Sequence, residues 1–229
     1  MTRSVAPLLP AHRTMLLAHR AMVRDLGRVA RCAEQLAHSP DPARAEALRG
    51  YADRLFQVIE HHHEGEDEFL WPRLRRLGAD EEALTLMTTE HAELAKLLHD
   101  WHAASTRLGT DTGASTDTGA STGTRAGTGA AAELAGLTEN LRDQLSRHAA
   151  DEERELSGRL APVLDAAVWK GFSAHMRRTA PGWTLTFMPA WLASVAGPDE
   201  RAGVPARPVA ALFRGRLEKQ RRAAFGEHC

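Results

Sequence analysis

Two segments of the chain contain a histidine followed four residues later by a glutamate: His62 with Glu66, and His148 with Glu152. In an α-helix, residues four apart lie on one face, one turn from each other. Imidazole nitrogens and carboxylate oxygens both bind transition metals, so each pair offers half of a metal site. Two more histidines lie in separate segments with helical periodicity. The predicted metal ligands are His19, His62, Glu66, His91, His148 and Glu152.

The apolar residues around these ligands predict four long helices, each with one inward stripe at spacings of three and four. The predicted helices cover residues 11–38, 43–77, 80–108 and 131–160. We expect an all-α fold in which residues 10–162 form an antiparallel up-down-up-down four-helix bundle. In that arrangement the six ligands occupy stripe positions within about two turns of one level.

Two segments fall outside the four predicted helices. Residues 109–130 are rich in Gly, Thr, Ser and Ala and contain the repeated hexapeptide TDTGAS. They predict a flexible low-complexity loop between the third and fourth helices. Residues 163–229 predict a C-terminal helical extension that packs on the bundle, with a short helix over 163–176 and a basic one over 208–225. The apolar segment 181–195, interrupted by Pro189, is a candidate wall of a substrate pocket.

Composition limits the possible partners and location. The 229 residues carry a net charge of −1, which disfavours a nucleic-acid-binding surface. We also expect no membrane partner, since no apolar run reaches the length of about 18 residues of a spanning helix. The first ten residues do not resemble a signal peptide, and the two cysteines do not suggest a disulfide framework. We therefore expect a cytoplasmic protein.

The energetics of burial favour a metal at this level. Two buried carboxylates and four imidazoles in one layer would be costly without a cation. The donors suit iron, manganese or zinc rather than calcium or magnesium, and six ligands exceed what one tetrahedral zinc requires. We expect two non-haem iron ions, with manganese or a mixed-metal pair as the alternative. His63 is a possible extra ligand, and Asp67 and Glu153 are candidates for hydrogen bonds to ligating imidazoles.

The surrounding phrases resemble those of the hemerythrin-like, HHE cation-binding family. They are HHHEGEDEFLWP at 61–72, TTEHAEL at 88–94 and SRHAADEEREL at 146–156, and the resemblance covers about residues 10–162. It implies a four-helix bundle enclosing two irons that bind O2, NO or peroxide. One departure is Ala95, where oxygen-carrying hemerythrins have a second histidine one turn after the first. That position is left open, or is filled by His63, water or a carboxylate, which argues against simple reversible O2 carriage.

Three functions remain as hypotheses. The first is an oxidase or oxygenase that activates O2 or peroxide and acts on a small-molecule substrate. The second is an O2-, NO- or iron-binding or redox-sensing protein without turnover. The third is a structural metal bundle that holds zinc. Phosphate-binding loops and nucleophile elbows are absent from the sequence.

Overall fold

The fold is entirely helical over the residues that the computed structural model describes, which are 10–109 and 122–226. This confirms the predicted all-α class. The α-helices are α1 (Pro10–His38), α2 (Pro42–Gly65), α3 (Trp71–Arg76), α4 (Glu81–Arg107), α5 (Thr122–Ser157), α6 (Ala166–Thr179), α7 (Thr184–Ala193) and α8 (Arg207–Phe225). A π-helical turn (Glu66–Leu70) joins α2 to α3, and 3-10 turns cover Ala161–Val163 and Pro198–Gly203. Within this part of the chain, no helix has both the length and the apolarity to cross a bilayer.

Aspartate side chains begin three of the helices. Asp41, Asp80 and Asp165 each accept a hydrogen bond from the backbone N–H three residues further on, at 3.1, 2.8 and 2.8 Å. Such N-caps satisfy a backbone donor that has no partner inside the helix and contribute about 1 kcal/mol each. Asp41 and Asp80 lie at the breaks that the sequence predicted, so these caps fix where α2 and α4 begin.

The four long helices enclose two apolar cores with a polar layer between them. α1 packs on α5 and α2, and α4 packs on the same two helices. The smaller core takes residues from the start of α1, the end of α5 and the start of α4, together with the π-helical turn and α3. The larger core takes the remaining length of all four long helices. On α4 and α5, and from α2 into the π-helical turn, the predicted ligands lie between residues of the two cores. On α1, His19 lies just past that boundary, two residues after Leu17.

The second predicted helix, 43–77, is helical from Pro42 to Arg76, but a π-helical turn divides it into α2 and α3. The turn starts at Glu66, where the N–H of Trp71 bonds to the carbonyl of Glu66. Pro72 lies in the first turn of α3, where a missing N–H has no cost. A π-helical turn inserts one residue into the helix and so rotates the side chains that follow it.

The predicted loop over 109–130 is wrong in its second part. α5 begins at Thr122 rather than at Ala131, so residues 122–130 are helical despite their glycines and threonines. The packed residues of α5 already form the costly first turns of the helix. Each residue added to its end then gains a backbone hydrogen bond, and this gain outweighs a weak helix propensity. The repeated hexapeptides, at 110–121, lie outside the described residues.

The C-terminal helices pack on both cores. α6 supplies Val168, Trp169 and Phe172 to the smaller core, while α7 and α8 pack on each other and join the larger core. α6 covers residues 166–179 rather than the predicted 163–176. Pro189 lies inside α7 and does not interrupt it.

A buried carboxylate, Asp25, ties α7 and α8 to the long helices. Asp25 is fully buried on α1 and accepts hydrogen bonds from the Tyr51 hydroxyl at 2.5 Å and the Trp191 indole at 2.7 Å. It also pairs with Arg24 at 2.8 Å and Arg221 at 3.3 Å. Burial alone would raise the pKa of Asp25, but Arg221 and Arg24 lower it below its ordinary value. The charge is thus paired and hydrogen-bonded, as a buried charge must be.

Candidate metal centre

The polar layer between the two cores brings all six predicted ligands together. His19 comes from α1, His91 from α4, and the two His–Glu pairs from α2 with the π-helical turn and from α5. A seventh side chain, His63 of α2, joins them. Their exposed fractions are 8% or less: His19 2%, His62 6%, His63 8%, Glu66 0%, His91 4%, His148 2% and Glu152 0%.

One group of donor atoms lies between α1, α2 and α5. It comprises His19, His62, Glu66 and Glu152, whose donor atoms all lie within 4.8 Å of one another. The Nε2 atoms of His19 and His62 are 2.9 Å apart. The nearest carboxylate oxygens are Glu152 Oε2, 3.1 Å from the His19 nitrogen, and Glu66 Oε1, 3.3 Å from the His62 nitrogen.

A second group lies between α2, α4 and α5 and shares one residue with the first. It comprises His63, Glu66, His91 and His148, again within 4.8 Å. The Nε2 atoms of His91 and His148 are 3.2 Å apart, and Glu66 Oε2 lies 3.6 Å from the His91 nitrogen. The two oxygens of Glu66 therefore face different histidine pairs. Glu152 Oε2 also approaches both pairs, since it is 3.7 Å from the His148 nitrogen.

Three carboxylates outside the layer contact histidines of the layer. Each contacts Nδ1, the ring nitrogen that does not face the donor groups. Asp67 lies 2.8 Å from His91 Nδ1, and Glu153 lies 3.4 Å from His19 Nδ1. Both contacts agree with the sequence prediction. Glu90 lies 2.8 Å from His148 Nδ1, and sequence reasoning missed it. The only signal for Glu90 was its position next to His91, which gives no indication of a contact with α5.

These outer contacts determine which nitrogens face inward with a lone pair. An ionised carboxylate only accepts hydrogen bonds, so His91 and His148 donate Nδ1–H to Asp67 and Glu90. In a neutral imidazole the other nitrogen is then unprotonated. When both rings are neutral, the Nε2 lone pairs of His91 and His148 face each other at 3.2 Å. A cation between them removes that repulsion, which is the arrangement typical of a carboxylate–histidine–metal site.

The carboxylates of the layer also lack the partners that burial requires. Both oxygens of Glu66, both oxygens of Glu152 and Nε2 of His63 are buried without a hydrogen-bond partner among the described residues. A buried polar group left unpaired costs about 1–3 kcal/mol, and more when it is charged. Five such atoms around one point are typical of a cation site, so the residues present fit a bound metal.

The pKa values follow from this crowding. Burial, and then the charge of Glu152, raise the pKa of Glu66 well above its ordinary value. Burial also opposes the charged form of His19, yet Glu152 and Glu153 raise its pKa to about 9. Burial, and then the charge of His19, lower the pKa of His62 well below its ordinary value. Without metal, this crowding therefore favours the protonated forms of His19 and Glu66.

A surface groove reaches the layer at His19. It lies between α1 and α5, has a volume of about 270 Å³, and is lined by Leu16, His19, Arg20, Val23, Ser146, Ala149, Ala150 and Glu153. Small side chains of α5 leave this space open. By contrast, the small cavity lined by Trp183 and Phe187 contains none of the seven polar residues of the layer. The described cavity at the cluster is thus formed by α1 and α5 rather than by the apolar segment 181–195.

The helical fold and the buried histidine–carboxylate clusters define a metal-binding helical protein. A family model, the hemerythrin HHE cation-binding domain, matches residues 11–160. The chain therefore belongs to the hemerythrin HHE cation-binding family, as the sequence resemblance predicted, and the matched range contains all of the clustered side chains. The searches of curated proteins and of solved structures returned no match.

Proposed function

We propose that this chain is a non-haem di-iron protein that activates O2 or peroxide and thereby oxidises a small molecule. In this proposal α1, α2 with α3, α4 and α5 form an antiparallel up-down-up-down bundle around the two ions. The short connections between α1 and α2 and between α3 and α4 support that arrangement, as do the contacts of α1 and α4 with the same two neighbours.

The observation that carries the proposal is the sharing of Glu66 by two buried donor groups. One oxygen of Glu66 faces each histidine pair, so this residue would help to hold an ion in either group. Imidazole and carboxylate donors in this number suit iron, and the cation-binding domain supports that choice. The proposed ligands are the six residues of the sequence prediction: His19, His62, Glu66, His91, His148 and Glu152.

The chain's own residues hold and shield the centre. Asp67, Glu90 and Glu153 fix the orientation of their imidazoles by hydrogen bonds to Nδ1. The two apolar cores exclude water from both sides of the layer. When bound, a pair of iron ions supplies the redox chemistry that the side chains lack.

The groove between α1 and α5 supports turnover of a small molecule. It brings solvent-accessible space to His19, on the side of the donor group with two imidazoles. Glu153 lines the groove, is 41% exposed, and contacts His19 Nδ1. Its carboxylate is therefore in contact with water while it orients the ring.

The test is O2 consumption by protein loaded anaerobically with Fe(II), with ascorbate as the electron donor. We expect repeated turnover, in which each protein molecule consumes many equivalents of O2. The zinc-loaded protein is the matched control, because zinc fits the same donors and has no redox chemistry. A single stoichiometric oxidation that then stops would contradict an oxidase and leave the binding or sensing function. A protein that takes up zinc but not iron would leave only a structural role.

A further inference from the structure

The polar layer contains one imidazole more than the six predicted ligands. His63 lies next to His62 on α2, and its Nε2 atom is buried without a hydrogen-bond partner among the described residues. Its ring centre is 4.6 Å from that of His91 and 5.2 Å from that of His148. The ring of His63 is also 5.4 Å from that of its neighbour His62, but its nitrogen joins the donor atoms of the second group and is absent from the first.

The neighbouring position on α4 offers no donor. Ala95 follows His91 by one turn and is exposed, and its methyl side chain cannot bind a metal. The second group would hold only His91, His148 and the shared Glu66 if His63 were absent. Because α2 packs against α4, a residue of α2 can approach the same ion from the side.

We propose that His63 is the third imidazole ligand of the ion held by His91 and His148, and that it replaces the donor missing at Ala95. This inference rests on the proposed dinuclear centre. The two donor groups then each supply four residues but differ in their imidazoles: one has three, and the other has His19 and His62. The group with two imidazoles is the one beside the groove.

The chemistry of the unpaired nitrogen supports this role. A neutral imidazole can leave the Nε2 atom with a lone pair, and a ring nitrogen of His63 lies within 4.8 Å of three other donor atoms. As a structural histidine it would leave a buried polar atom unsatisfied, which costs about 1–3 kcal/mol. As a ligand it would satisfy that atom. The other flanking histidine, His61, bonds to Thr179 at 2.9 Å and is absent from both donor groups.

The experiment compares iron binding by the full chain and four variants under anaerobic conditions. The variants are His63→Ala, His63→Gln, the double variant His63→Ala with Ala95→His, and the control His61→Ala. Measurements are iron bound per chain, the rate of iron loss to a chelator, and the number of imidazoles per iron from X-ray absorption. The glutamine variant keeps most of the side-chain volume, and circular dichroism checks that each variant is folded.

We expect the unmodified chain and His61→Ala to hold two irons. Both His63 variants should lose one of the two at least tenfold faster, with fewer imidazoles per iron, and Ala95→His should restore retention. Two tightly held irons in a folded His63 variant, with an unchanged imidazole number, would overturn the role of His63 alone. If the His63 variants lose iron and Ala95→His does not restore its retention, the claim that His63 replaces the donor missing at Ala95 is overturned. Fewer than two irons in the unmodified chain would instead overturn the dinuclear centre itself.

Discussion

Glu90 gives the sharpest test of how the outer carboxylates support the centre. Its Oε2 atom lies 2.8 Å from His148 Nδ1, and the side chain is 21% exposed. In Glu90→Gln the shape is kept, but a charged acceptor becomes a neutral one. Changes of this kind typically weaken metal binding about 10- to 100-fold, which is about 1.4–2.7 kcal/mol. Because water reaches part of Glu90, we expect a loss near the lower end, about tenfold.

Amide variants of the other two outer carboxylates should lose less affinity for iron than Glu90→Gln. Asp67 makes an equally short contact with His91 but is 44% exposed, so water replaces more of its interaction. Glu153 is 41% exposed and its contact with His19 is 3.4 Å, which is longer than a strong charge-assisted hydrogen bond. The expected order of affinity loss for the amide variants is therefore Glu90, then Asp67, then Glu153.

The assay is competition for Fe(II) against a chromophoric chelator in the absence of O2. Glu93→Gln is the matched control, because Glu93 is an exposed glutamate on the same helix, α4, and lies outside both donor groups. Equal affinities for Glu90→Gln and Glu93→Gln would refute the reasoning. A larger loss for Glu153→Gln than for Glu90→Gln would also refute it, since geometry and burial predict the reverse.

Three further perturbations test the fold and the groove. Asp25→Asn should lower the free energy of unfolding by about 3–5 kcal/mol at pH 7. Folding lowers the pKa of Asp25. The difference in the free energy of unfolding between the two proteins should therefore stay constant down to about pH 5 and shrink below about pH 4. Gly171→Ala should cost about 1–3 kcal/mol, since its Cβ would meet a phenylalanine ring atom at 2.7 Å. Ala150→Phe should raise the KM for a small-molecule donor several-fold, because it narrows the groove.

Each of these perturbations has its own control and measurement. Urea unfolding from pH 7 to pH 3 compares the unmodified protein with Asp25→Asn. A stability difference that grew on acidification would contradict the sign of the Asp25 pKa shift. Gly50→Ala is the control for Gly171, since nothing lies within 4 Å of the new methyl group and the helix should gain about 0.5–1 kcal/mol. Equal stability in both glycine variants would show that α6 is not tightly packed. Steady-state kinetics test Ala150→Phe against Ala92→Phe, an exposed site of α4 outside the groove.

The ligands could be predicted because their chemistry coincides with helical periodicity. His62 and Glu66 occupy positions of an apolar stripe, and a four-residue step needs no tertiary information to place both on one face. The same periodicity located α1, α4 and the combined span of α2 and α3 within a few residues. Asp41 and Asp80 stand at two of the predicted helix starts, and their effect on the backbone is local.

The features that sequence reasoning missed depend on contacts between distant segments. Three partners of Asp25, namely Tyr51, Trp191 and Arg221, lie on three other helices, so an isolated aspartate gave no signal. The π-helical turn has no periodic signature over its five residues. Glu90 contacts a ring on α5, and only the relative rotation of α4 and α5 determines that contact. The start of α5 was also missed, because weak local propensity does not stop a helix that packing holds further along.

The most direct test of the central claim is a crystal structure of the iron-loaded protein with anomalous diffraction at the iron edge. We expect two anomalous peaks inside the helical layer, one between His19 and His62 and the other between His91 and His148, with Glu66 in contact with both. A single peak, or iron bound only at the protein surface, would contradict the dinuclear centre and the oxidation chemistry proposed from it.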